Sequence, residues 1–200
     1  MLLIGLTGGM GCGISTAASY FAELGAIILS ADQIARELTR PKAAGWNLIR
    51  KAFGKDFFFT DEQLNRPLLG QLVFSDKLAL TKLNELLHPL IVSEIRLRIE
   101  PWRTTDKIVI IEAPLLIEVG LDTFVDLLAV VNTSLPKRLE RLIIRTGLDE
   151  TDILNRIASQ QPLEEKLLLA DVIIENNKNL NKLKEEVTTK WLNWQKAMPQ

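Results

Sequence analysis

The sequence predicts an α/β fold, a five-stranded parallel sheet with helices on both faces, and three observations carry the prediction. Five short apolar runs recur, at 2–6, 26–29, 108–111, 127–131 and 172–174. None alternates polar with apolar residues, which is the pattern of strands covered on both faces rather than wetted on one. The stretches between them have apolar side chains at helical spacing. The first run leads through a cluster of glycines straight into a helical segment at 16–24. With 200 residues, 47% of them apolar, the chain is long enough for one substantial core.

The gap between the second and third runs, residues 30–107, is far longer than one crossover helix requires, so an insertion is expected there. Within it, 46–53, 67–74, 76–87 and 89–99 have helical character, the last two meeting at His88-Pro89, where proline suits a first turn. Two more helices are expected at 135–145 and 151–159, with Gly147 ending the first. An amphipathic helix at 180–195 closes the chain, with Leu183, Val187, Trp191 and Trp194 on one face for the core. The expected division is a core of 1–40, 104–132 and 170–200, a helical insert at about 41–103, and a separate helical segment at about 133–162.

Charge and cysteine content narrow the functions. Twenty-four Lys and Arg against 25 Asp and Glu leave a formal net charge of −1, with no basic block for a nucleic-acid backbone or an anionic membrane. No apolar stretch reaches the roughly 18 residues of a membrane span. The N-terminal residues lack the basic start of a signal peptide. One cysteine, Cys12, excludes an internal disulfide, and one histidine, His88, excludes a Cys/His zinc site. A monomer in a reducing cytoplasm, acting on small molecules, is the expected setting.

The segment GGMGCGIST at 8–16 is the most informative. Glycines between a strand and a helix let successive N–H groups converge, and the helix N-terminus adds its dipole, making an anion nest. Gly8, Gly9, Met10, Gly11, Cys12 and Gly13 are its backbone candidates, with Ile14, Ser15 and Thr16 opening the helix. The dinucleotide spacing of glycines at n, n+2 and n+5 fails, because Gly9 and Gly11 put Ile14 third. The mononucleotide P-loop, G-x-x-x-x-G-K-[ST], fits at Gly8, Gly13 and Ser15 but has isoleucine where lysine reaches the β- and γ-phosphates. Ser15 is the candidate Mg²⁺ ligand. Cys12, near a helix N-terminus, is either a thiol of lowered pKa or simply a small residue.

Several further segments join this loop: SADQIAR at 30–36, LNRPLLG at 64–70, VFSD at 73–76, HPLI at 88–91, APLLIE at 113–118, RLERLIIR at 138–145, RIASQ at 156–160 and ADVIIEN at 170–176. In this order and spacing the chain, from about residue 3 to 187, resembles dephospho-CoA kinase. The resemblance implies a P-loop kinase fold in which the insert holds the acceptor and 133–162 form a lid. It also implies transfer of the ATP γ-phosphoryl, with Mg²⁺, to the ribose 3′-hydroxyl of dephospho-CoA; the alternative reading is a family member that binds nucleotide or CoA without turnover, with Ile14 the residue that separates the two.

Residue by residue, the resemblance places the catalytic aspartate at Asp32, a substrate-binding arginine at Arg66, lid arginines over ATP at Arg141 and Arg145, and Asn176 near adenine. His88, Leu115 and Glu118 fall to the acceptor. The residues themselves are compatible. Asp32 follows the second strand, where α/β ligands bind and a carboxylate accepts a hydroxyl proton, though a helix-capping aspartate fits as well. Arg138, Arg141 and Arg145 share one helical face, either phosphate-binding or solvated. Glu112 ends the third strand, where an acid commonly orients Mg²⁺ or its water. Glu118 is read equally as a helix cap, and His88 as a structural histidine. Ile14, Ser30, Asn65 and Lys178 depart from the family's usual lysine, aspartate, aspartate and glycine. Arg145 is the expected substitute for the missing lysine charge.

Overall fold

The structure is a computed structural model and describes residues 1–197. All five apolar runs become strands: β1 (Leu2–Gly8), β2 (Ile27–Ser30), β3 (Ile108–Glu112), β4 (Leu127–Asn132) and β5 (Val172–Glu175), in the spatial order β2-β3-β1-β4-β5. Parallel pairing runs from Leu2↔Ile108 to Leu6↔Glu112 between β1 and β3, and from Ile4↔Leu127 to Gly8↔Val131 between β1 and β4. β5 continues the sheet in parallel from Ala129↔Val172. Central strands carry unbroken apolar runs because both faces are covered: Ile110, Ile111, Val130 and Val131 are all fully buried. β5 lies at an edge, and its Ile173 is exposed.

Because these strands are parallel, their carboxyl ends gather the segments 9–13, 113–118, 133–134 and 176–179 at one edge of the sheet. Helix α1 (Ile14–Glu23) packs with the C-terminal helix α9 (Leu180–Ala197), Phe21 stacking on Trp194 with ring centroids 4.8 Å apart. The expected apolar face of α9, Leu183, Val187, Trp191 and Trp194, is buried.

The chain divides into two compact units, residues 1–29 with 99 onward, and Ser30–Arg98. The second unit contains α2 (Ala31–Leu38), α3 (Ala44–Phe53), α4 (Arg66–Ser75) and all but the last residue of α5 (Lys77–Ile99). Its core is Ile49, Leu64, Leu69 and Val73, with Phe53, Phe57, Phe58, Leu80, Leu83 and Leu87 packed around them. One expectation fails here. The two helices predicted to meet at His88-Pro89 are a single helix, with Pro89 inside α5. Proline removes one backbone hydrogen bond, and the apolar side chains of α5 that pack on both sides of it, Leu83 and Leu87 before and the fully buried Ile95 and Ile99 after, outweigh that loss.

The first unit also carries α6 (Leu135–Thr146), α7 (Glu150–Ala158) and α8 (Leu163–Leu169). Gly147 ends α6 in the left-handed conformation, φ 68°, as its position predicts. The short helix α8 was not legible in the sequence, since seven residues hold barely two turns of pattern.

Candidate active site

The loop after β1 is shaped by backbone conformations that side chains resist. Gly11 and Gly13 have φ of 81° and 89°, and the Cys12 N–H closes a turn on the Gly9 carbonyl at 3.0 Å. Gly13 is the N-cap of α1, makes no side-chain cap, and no acidic residue stands in the first turn. The N–H groups of that turn are therefore left for an anion, with the helix dipole behind them. Ile14 opens the helix with its side chain 6% exposed, adding apolar surface and no donor.

Side chains from elsewhere in this unit hold the loop's carbonyls. Asn176 Nδ2 donates to the Cys12 carbonyl at 2.8 Å, and Thr133 Oγ1 donates to the same oxygen at 3.0 Å. Arg138 Nε donates to the Met10 carbonyl at 2.8 Å. In a trans peptide the N–H points opposite to the C=O, so the Gly11 and Gly13 N–H groups are turned away from these holders. Gln160 Oε1 accepts the Met10 N–H at 3.0 Å. Arg141 Nη2 donates to the Asn176 carbonyl at 3.0 Å, while Arg145 is exposed. A Cβ at Gly13 would collide with the Asn176 amide, so glycine is required there on two counts.

Cys12 is fully buried, and that burial raises its thiol pKa, outweighing the opposing pull of the Arg138 charge and of hydrogen bonds from Gly9 and Thr133. The reading of a lowered pKa is thereby corrected: desolvation outweighs the helix N-terminus. A raised pKa keeps the thiol protonated at neutral pH, so iodoacetamide at pH 7.5 is expected to label the native protein at least about tenfold more slowly than the urea-unfolded chain. Equal labelling rates would contradict it.

Two further features lie at the same edge of the sheet. Glu112 ends β3 beside Leu6 and is 8% exposed. Glu118 forms an ion pair with Lys166 Nζ at 2.7 Å and accepts the Gln161 N–H at 3.1 Å. Lys166 is fully buried and also donates to the Pro114 carbonyl at 2.6 Å, an oxygen that Thr7 Oγ1 reaches at 3.3 Å. The chain 113–118 that includes Leu115 is thus fastened to β1 and α8. Removing the counter-charge of a fully buried ammonium group strands it, so Glu118→Ala is expected to cost about 3–5 kcal/mol in a denaturant melt. Glu118→Gln, which keeps an acceptor, costs less; an unchanged midpoint for Glu118→Ala would refute the fastening.

In the second unit, Asp32 stands exposed in the first turn of α2, whose N-cap is Ser30, with Ser30 Oγ accepting the Gln33 N–H at 3.5 Å. Arg66 begins α4, where Asn65 Oδ1 caps the Leu68 N–H at 3.1 Å. Ser30 and Asn65, two of the departures from the family pattern, thus serve as caps. Arg66 Nη2 donates to Thr39 Oγ1 at 2.6 Å and lies 3.4 Å from the Arg36 carbonyl. Burial, then the neighbouring Arg36 charge, pull its pKa below the ordinary arginine value, as expected where two guanidinium groups are gathered. His88 lies mid-helix in α5, partly buried. Arg138, Thr133, Gln160 and Lys166 were not singled out as site residues, and of these only the arginine stripe left a signal in the sequence.

A parallel sheet whose central strand runs through a glycine loop into an uncapped helix defines the chain as a P-loop kinase in fold. The family model described as dephospho-CoA kinase matches residues 2–182, and the chain belongs to the dephospho-CoA kinase family. It is 39% identical over 191 residues to the dephospho-CoA kinase of Streptomyces avermitilis, covering 96% of this chain and 93% of that one. With that of Arabidopsis thaliana it shares 37% over 187 residues, 93% of this chain and 81% of the other. The solved dephospho-CoA kinase from Campylobacter jejuni superposes with a TM-score of 0.71 at 27% identity, over 97% of each chain. Shikimate kinase from Acinetobacter baumannii shares the fold alone, with a TM-score of 0.58, 14% identity, and coverage of 100% of this chain and 96% of that one.

Proposed function

We propose that the protein transfers the γ-phosphoryl group of ATP to the ribose 3′-hydroxyl of dephospho-CoA, giving coenzyme A and ADP, as a cytoplasmic monomer. The observation that carries the reading is the uncapped α1 N-terminus behind a loop whose Met10 and Cys12 carbonyls are tied outward, which leaves N–H groups for phosphate. Family membership supports the acceptor.

In this reading the Gly11, Gly13, Ile14 and Ser15 amides hold the β-phosphate, and Arg141 and Arg145 close over the triphosphate. The Ser15 hydroxyl and the Glu112 carboxylate are hard oxygen donors that would hold Mg²⁺, directly or through water. Bound there, the ion would supply positive charge against the phosphates. Asp32 accepts the proton of the 3′-hydroxyl, and the paired guanidinium groups of Arg66 and Arg36 hold an anionic part of the acceptor. Leu115 and Glu118 of the first unit and His88 of the second are each assigned to acceptor binding, and Asn176 backs the loop on the nucleotide side. Catalysis is positioning and charge stabilisation around an in-line transfer.

A coupled ADP-release assay with ATP, Mg²⁺ and dephospho-CoA tests the reading, with the product identified by mass. Dephospho-CoA-dependent ADP release and a product heavier by one phosphoryl group are expected. ADP release with another alcohol and none with dephospho-CoA would assign a different acceptor.

A further inference from the structure

The loop contains an unexplained combination: its usual cation is missing, and another cation is packed against it. Position 14 offers an apolar side chain. Arg138, from the first turns of α6, is 5% exposed, and its guanidinium lies against the loop at Gly9. A Cβ built there would come 2.5 Å from Nη2 and 2.8 Å from Cζ. Its Nε holds the Met10 carbonyl at 2.8 Å. Among the described residues no carboxylate pairs with it, whereas buried Lys166 in the same unit has Glu118. A buried guanidinium without a counter-charge is costly to keep, and here it borders a loop built to receive an anion.

We propose that Arg138 is a positioning residue that supplies, through the Met10–Gly11 peptide, the positive potential that position 14 lacks. The inference rests on the ATP reading above. Two effects combine. The hydrogen bond fixes the Met10 carbonyl toward Arg138 and so turns the Gly11 N–H the other way, and a full charge on that carbonyl polarises the peptide and strengthens the N–H as a donor. The charge, on a side chain only 5% exposed and so weakly screened by salt, also acts directly on a polyphosphate at the loop. Gly9 is glycine because any side chain would displace the guanidinium.

Calorimetric titration with adenosine, ATP and inorganic tripolyphosphate separates this role from simple packing. Arg138→Gln, which keeps an amide donor for Met10 but no charge, is expected to weaken ATP and tripolyphosphate about 10- to 100-fold and leave adenosine unchanged. Arg138→Lys restores most of the loss. In an Ile14→Lys background, Arg138→Gln costs about threefold or less, because the second cation makes the first redundant. Equal weakening of adenosine and ATP, no weakening at all, or the same loss in both backgrounds overturns the proposal. If Arg138→Gln does not fold, Arg138→Lys and Gly9→Ala, which keep or displace the charge respectively, decide it by the same ratio of tripolyphosphate to adenosine binding. A wild-type protein that binds neither ATP nor tripolyphosphate overturns the nucleotide reading together with this one; a wild type that binds both while Arg138→Gln is unaffected overturns this one alone.

Discussion

Ile14→Lys is expected to raise kcat by about 10²–10³-fold, the amount that one preorganised donor to transition-state charge commonly contributes. The P-loop lysine reaches the β- and γ-phosphates, where negative charge shifts as the phosphoryl group leaves, and an isoleucine offers that charge neither a proton nor a field. The backbone needs no change to accept it: residue 14 is already the first residue of α1, and its side chain is packed with 6% exposure, so a lysine stem follows the same apolar path and carries its ammonium group beyond it. The gain should fall mainly on kcat, since an interaction stronger in the transition state than with bound ATP changes turnover more than affinity. Single-turnover formation of the phosphorylated product, followed by mass, measures it. Equal rates for the two proteins would mean that the surrounding cations already supply the full charge.

Asp32→Asn is expected to lower kcat by about 10²–10⁴-fold while leaving ATP affinity within a factor of about two, as loss of a general base should. Asparagine keeps the shape and the helix-terminal position but has no basic oxygen for the 3′-hydroxyl proton. The fold should tolerate it, because the N-cap of α2 is the neighbouring Ser30 and the residue is exposed. A rate within tenfold of the parent, at unchanged melting temperature, would remove Asp32 from the chemistry and leave it as a residue of the first helical turn. A fall in both kcat and ATP affinity would instead assign it to nucleotide binding.

The sequence singles out these two positions because each sits in a local pattern. Asp32 follows a strand end, and Ile14 occupies a numbered place in a glycine motif. The same holds for Gly13, whose positive φ and close approach to Asn176 fit a glycine required by backbone geometry. The arginines were harder to rank. Helical spacing put Arg138, Arg141 and Arg145 on one face, and Arg145 was the expected source of replacement charge. In the structure Arg138 lies against the loop, Arg141 reaches Asn176, and Arg145 is exposed. A helical face is a direction common to all three; which residue meets the loop depends on where along β4's exit the helix starts.

By itself the sequence determined the five strands, the glycine loop and the amphipathic α9, because apolar periodicity records burial and glycine records backbone conformation within a few residues of itself; the family came from the resemblance carried by the ordered segments from 4 to 176. Tertiary structure alone decided what backs the loop. The Asn176–Cys12 and Arg138–Met10 hydrogen bonds join residues 164 and 128 positions apart, and no local pattern encodes such a partner. It decided as well that α5 runs through Pro89 and that Lys166 is buried with Glu118, since both depend on what packs around a segment rather than on the residues within it.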